Sequence, residues 1–202
     1  MTQRGNRRND VFFCDNDKNY YLDLLQEYTI KHKVAVLAYC LMNNHIHLIL
    51  QPTTKEGLQK ALKPLYMRYS QYINKQQNIT GILWQGRFFS SPLDEQYTYY
   101  GFAYVENNPV KAKMVENATD YKYSSAMCHA GLVNNSLVTD YDIGVLPSEY
   151  QDYLKSMVGI QHDKTLKINT HKGLPCGNEG FIRKLSDKVG SRDLSLKKKG
   201  ET

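Results

Sequence analysis

The apolar residues change rhythm along the first half of the chain, and each change marks an element. Tyr21, Leu24, Leu25 and Tyr28 recur at steps of three and four, so residues 17–33 are predicted to be a helix capped by Asp15 or Asn16. The rhythm then breaks into the unbroken apolar run VAVLAYCLM at 34–42. Two asparagines follow at 43 and 44, then HIHLILQP, closed by Pro52. Two β-rich runs around a two-residue polar turn read as a hairpin. Leu58, Leu62, Leu65, Tyr69 and Tyr72 restore helical spacing over 55–78, with Pro64 as a potential kink. Residues 81–94 mix a turn with a short extended piece. Asp94 then caps a helix over 95–108, which Pro109 is expected to stop. If residues 1–5 supply a further strand, the order predicts an α+β domain, with helices on one or both faces of an antiparallel sheet.

The pattern loosens after about residue 116. Residues 116–136 are polar and turn-rich, 147–157 suggest a short helix, 169–180 read as a loop, and 179–189 as a helix. The end of the chain carries Arg183, Lys184, Lys188, Arg192, Lys197, Lys198 and Lys199 against Asp187, Asp193 and Glu201, a basic and partly disordered tail. The expected organisation is a domain over 1–116 followed by a helical and irregular basic extension over 117–202.

Composition narrows the function classes. The 202 residues carry a net charge of +6 and a pI near 9.0, which favours an anionic partner, because lysines and arginines that neutralise phosphates release counterions. Cys14, Cys40, Cys128 and Cys176 show neither C-x-x-C nor zinc-ligand spacing, and no signal peptide precedes them, so a reducing cytoplasm is expected. No apolar run is long enough to span a membrane, and none of the patterns implies a small-molecule substrate. The sixteen tyrosines could stack on bases, although packing accounts for most of them.

The candidate chemistry lies in the hairpin. Strand alternation sends His45 and His47 to one face and Ile46 to the other. Two imidazoles side by side can bind one metal ion, and they can equally be an ordinary half-exposed pair. Tyr104 and Asn108, four residues apart, would stack on one helix face. Asn108 offers an amide oxygen to complete a His, His, amide set, and Tyr104 is a possible nucleophile toward a metal-polarised phosphoryl group. Arg4, Asn6, Arg7 and Arg8 around Gly5, together with Arg87, are candidates for DNA contact, since arginine suits phosphates and guanine edges. Trp84 reads as a core anchor. Gly101, costly inside a helix, is expected to leave room for a DNA strand beside Tyr104.

The ordered motifs YCLMNNHIHLIL, LWQGRF and YVENNPVKAKMV resemble the single-tyrosine HUH transposases, in particular the REP-associated tyrosine transposase branch. TQRGNRRNDVFF and GLPCGNEGFIRKL are similar to that branch as well. The resemblance implies a ferredoxin-like antiparallel sheet with flanking helices that cuts and rejoins single-stranded or hairpin DNA. It also implies Mg2+ or Mn2+ held by His45, His47 and Asn108, and Tyr104 as the nucleophile that forms a 5′-phosphotyrosine. A monomer or a homodimer would be compatible. The same fold could instead bind structured DNA without cutting it, or use the histidines hydrolytically. Family members usually carry more residues ahead of TQRGN, so the first strand should be short here. They also favour glycine where this chain has Lys113, which implies a different helix exit.

Overall fold

The computed structural model describes residues 1–189. The basic run from Arg192 to Glu201 lies outside the described residues. Strand β1 (Thr2–Arg4) leads into helix α1 (Asp15–Lys31), the hairpin β2 (Val34–Met42) and β3 (His45–Pro52), and helix α2 (Gly57–Gln76). Helices α3 (Glu95–Glu106), α4 (Asn108–Lys111), α5 (Ala126–His129), α6 (Tyr150–Ser156), α7 (Gln161–Lys172) and α8 (Glu179–Val189) follow. The sheet is antiparallel with order β1-β3-β2, which places the histidine strand in the centre. An α+β fold with an antiparallel sheet and flanking helices is what the alternation of strand and helix rhythms predicted.

Several details differ from the sequence-based expectation. The cap of α1 is Cys14, not Asp15 or Asn16, and the carboxylate of Asp17 accepts from the Phe13 and Cys14 backbone N–H groups at 2.8 and 3.1 Å. Carboxylate reach-back of this kind satisfies N–H groups that the helix itself leaves open. Pro64 sits inside α2 without ending it. The extended piece at 84–89 is not a full strand. It pairs with the start of the chain at two isolated bridges, Thr2 of β1 with Phe89 and Gly5, just past β1, with Trp84, and Gly86 at φ 154 lies between them. Gln3 bridges the gap by donating to the Gly86 carbonyl at 2.9 Å.

The core explains why β2 is apolar at nearly every position. His47 and Ile49 face α3, while Ile46 and Leu48 point to the opposite face, covered by α1 and α2 through Tyr21, Leu24, Leu25, Leu62, Leu65 and Tyr69. Trp84 is buried against Tyr66 and Tyr69, a core anchor as expected. One continuous core crosses residue 116. Tyr121, Tyr123, Ala126, Tyr150, Tyr153 and Leu154 all belong to it, and Leu41 donates its backbone N–H to the Tyr123 carbonyl at 2.9 Å.

Two glycines have steric reasons of their own. A Cβ on Gly5 would lie 2.2 Å from the Asn9 carbonyl oxygen, so the close approach it permits is to its own chain. A Cβ on Gly101 would lie 3.1 Å from Leu93 Cδ1 and 3.2 Å from Ile49 Cδ1. Gly101 therefore lets α3 settle on the sheet and does not open a strand channel, which corrects the expectation above.

Candidate active site

The site is assembled by strand register. In the antiparallel pairing of β1 with β3, Thr2 lies opposite His47 and Arg4 opposite His45, so all four side chains share one face. The imidazoles of His45 and His47 stand edge to face with centroids 4.9 Å apart. Helix α3 crosses that face and sets the Tyr104 ring 5.5 Å from His47, again edge-on. Helix α3 ends at Glu106, ahead of Pro109 as expected, but a further short helix follows directly. Pro109 occupies the first turn of α4, where its missing N–H costs nothing. Asn108 consequently stays one turn beyond Tyr104 and donates Nδ2–H to the Tyr104 and Val105 carbonyls at 2.7 and 3.2 Å. The exit after α4 passes through Lys113 at φ 57, the left-handed conformation that glycine takes most easily. The helix thus ends in the glycine-type turn although a lysine occupies it.

His45, His47, Tyr104, Asn108 and Arg4 line one cavity of about 480 Å³. The other basic candidates sit elsewhere. Arg7 and Arg8 are exposed on the turn after β1, both in left-handed backbone at φ 52 and 64, and Arg87 is exposed on the loop beyond Trp84. Asn6 lines a separate cleft with Asn9, Phe13 and Leu83. Sequence reasoning missed the opposite wall altogether. Asp163, Lys164, Lys167, Thr170 and His171 of α7 line the same cavity as the histidines. Part of that helix reads as loop in the sequence, because residues 169–172 run straight into Gly173, Pro175 and Gly177. Lys111 ties the walls together, with Nζ 2.6 Å from the Asp163 carboxylate and 4.9 Å from the centre of the Tyr104 ring.

The donor set suits a divalent cation. His47 Nδ1 is engaged by Thr2 Oγ1 at 3.0 Å and His45 Nδ1 by Asn44 Oδ1 at 2.6 Å, leaving both Nε2 atoms for another partner. Asn108 has its NH2 group on backbone carbonyls, so its Oδ1 is available too. Among the described residues no group of three or more His, Cys, Asp and Glu side chains converges on a metal position, so a third protein donor beside the two histidines would have to be the Asn108 amide oxygen.

Burial, reinforced by Arg4, pushes the His45 imidazole down to about 4. Burial, His45, Arg4 and Lys111 hold His47 well below its ordinary range. Both rings are therefore neutral and ligand-competent at pH 7. The consequence for stability has a definite sign. The folded chain binds fewer protons at these rings than the unfolded chain does below pH 6.5. The stabilisation they carry is complete above 6.5 and is lost as the pH falls below it, down to about 4 for His45. For His45 that span corresponds to about 3 kcal/mol as an upper figure. Urea melts in chelator between pH 7 and pH 4.5 should show His45→Asn/His47→Gln losing less stability than the parent. Parallel losses would remove the histidines from the acid response.

Residues 2–108, just over half of the chain, match the family described as Transposase IS200 like. The chain belongs to the IS200-like transposase family. Membership makes it a transposase-like, DNA-binding protein, and the matched segment ends on Asn108, so the whole His45, His47, Tyr104, Asn108 constellation lies within it. The chain is similar to a Haemophilus influenzae protein assigned as a REP-associated tyrosine transposase, at 26% identity over 133 residues, 57% of this chain and 76% of that relative. A solved structure of a REP-associated tyrosine transposase bound to a REP hairpin aligns with a TM-score of 0.49 and 14% identity, over 70% of this chain and 90% of that one. The α7 wall falls after the family match. No helix among the described residues is long and apolar enough to cross a membrane.

Proposed function

We propose that this family member cuts and rejoins single-stranded DNA beside hairpins through a covalent bond between Tyr104 and the 5′-phosphate. The observation that carries the reading is the placement of the Tyr104 ring edge-on to His47, in one cavity with His45 and Asn108. Membership of a transposase family supports DNA as the substrate. In the reaction Tyr104 Oη forms a bond to the scissile phosphorus and the bond to the 3′-oxygen breaks. The phenolic proton ends on the departing 3′-hydroxyl. The phosphoester is conserved, so a second 3′-hydroxyl can reverse the step without water or external energy. Burial and the neighbouring Asp163 push the Tyr104 phenol up to about 12, so it stays protonated until a substrate phosphate and a cation enter. A Mg2+ or Mn2+ ion held by His45, His47 and Asn108 would supply Lewis-acid polarisation of the phosphoryl oxygens. Thr2 and Asn44 fix the ring orientations, and Arg4 offers a guanidinium to a phosphate oxygen.

The test is the polarity of the adduct. With a hairpin oligonucleotide and Mg2+ or Mn2+, label at the DNA 3′ end should remain with the denatured protein, while 5′ label leaves on a fragment ending in a 3′-hydroxyl. The opposite partition, or free fragments without any adduct, would refute the 5′-phosphotyrosine.

A further inference from the structure

Helix α7 has a division of labour that packing alone does not require. Asp163, Lys164, Lys167, Thr170 and His171 fall at i, i+1, i+4, i+7 and i+8, one stripe of a helix, and all of them line the cavity that holds Tyr104. Leu166 and Asn169 lie off that stripe and are buried. Asn169 donates to the Pro175 carbonyl at 2.9 Å, and Leu174 returns its N–H to the Asn169 carbonyl at 2.9 Å, fixing the helix from behind. The stripe is thus displayed across the cavity on a seated helix.

Its charge is one-sided. Among the described residues the one carboxylate lining the cavity, Asp163, is taken by Lys111 at 2.6 Å. Lys164 and Lys167 are exposed and pair with no carboxylate among the described residues. Arg4 of β1, paired with His45 in the strand register, lines the same cavity. Basic side chains from β1 and from α7 around a cavity that also holds Tyr104 fit a polyanion that runs through it, because a strand threading the cavity would meet cations from both elements.

We infer that Lys164 and Lys167 form the second wall of a single-strand channel and hold the phosphates flanking the scissile one, each lysine neutralising one phosphate. The inference rests on the reading of Tyr104 as the DNA-attacking residue, and it adds a binding surface from beyond the family-matched segment.

Binding is measured in chelator, where no cleavage intervenes, on a hairpin oligonucleotide with a single-stranded arm and on the same hairpin without the arm. Each phosphate contact on a single strand contributes about 0.7 to the slope of log K against log salt. The Lys164→Gln/Lys167→Gln chain should therefore lose about 1.4 from the slope on the armed DNA, which is about 25-fold weaker binding at 0.1 M salt with convergence near 1 M. The bare hairpin should bind unchanged, and Lys164→Arg/Lys167→Arg should retain the parental slope. An unchanged slope, or equal losses on both DNAs, would overturn the channel. Loss of the Tyr104 adduct with the slope difference intact would instead count against the catalytic reading alone, so the two failures are distinguishable.

Discussion

Replacing Tyr104 with phenylalanine is expected to abolish the covalent protein–DNA adduct and leave both folding and DNA binding close to those of the parent. The structure separates the roles of ring and hydroxyl. The ring packs edge-on against His47 at 5.5 Å and lies under Lys111 Nζ at 4.9 Å, and phenylalanine keeps both contacts. The hydroxyl makes no hydrogen bond to any described residue, so its removal orphans no partner. A nucleophile cannot be partly replaced by carbon. The expected loss is complete, below the detection limit of a denaturing gel, whereas most changes around a site cost a graded factor. The same variant separates the rival readings. A hydrolytic enzyme that used only the histidines would keep turning over in Tyr104→Phe. A protein of this fold that only binds structured DNA would form no adduct with either side chain. An adduct that survives in Tyr104→Phe would assign the nucleophile to another residue.

The His45 and His47 pair shows what a sequence can and cannot carry. Period-two alternation is a local property of the backbone, so the shared face of the two rings was legible from positions 45 and 47 alone. That Tyr104 would meet them required a long-range packing decision, and the motif resemblance supplied it. Thr2 as the partner of His47 was not visible, because strand register depends on a pairing between residues 45 positions apart. The segment 81–94 was legible as extended but not as a broken edge, since the φ of Gly86, which lies between its two bridges, is not written in the sequence. The α7 wall was missed for a different reason. Its apolar face is narrow, with Leu166 the buried apolar residue on it, and its polar stripe resembles any solvated helix face until the helix is placed over the cavity. Functional residues that act from the polar side of a weakly amphipathic helix leave little trace in periodicity.

The largest stability effect is expected at Glu106, two residues after Tyr104 and fully buried. Three groups converge on its carboxylate: Ser125 Oγ at 2.5 Å, His129 Nδ1 at 2.7 Å and Tyr150 OH at 2.8 Å. These partners come from α5, its N-terminal flank and α6, so a single acceptor fastens the helix that carries Tyr104 to the second half of the chain. Glu106→Leu has nearly the right volume for the site but no acceptor. Ser125 can fall back on the Tyr39 carbonyl at 3.3 Å, whereas the buried Tyr150 hydroxyl and the mostly covered His129 ring would keep only their long 3.4 Å contact with each other. Removing one member of a buried polar network while the others stay costs about 3–5 kcal/mol, far more than an exposed pair such as Lys60 with Glu56 contributes. Glu106→Gln, which keeps an acceptor oxygen, should cost less. Urea midpoints measure both, and the coupling with Tyr150→Phe decides the mechanism. If the hydroxyl and the carboxylate stabilise each other, the double variant should be more stable than the sum of the single losses predicts, by 0.5 kcal/mol or more on the usual scale of such couplings. Additive losses, or a Glu106→Leu cost below about 1 kcal/mol, would mean that α3 is held in place by its apolar contacts alone.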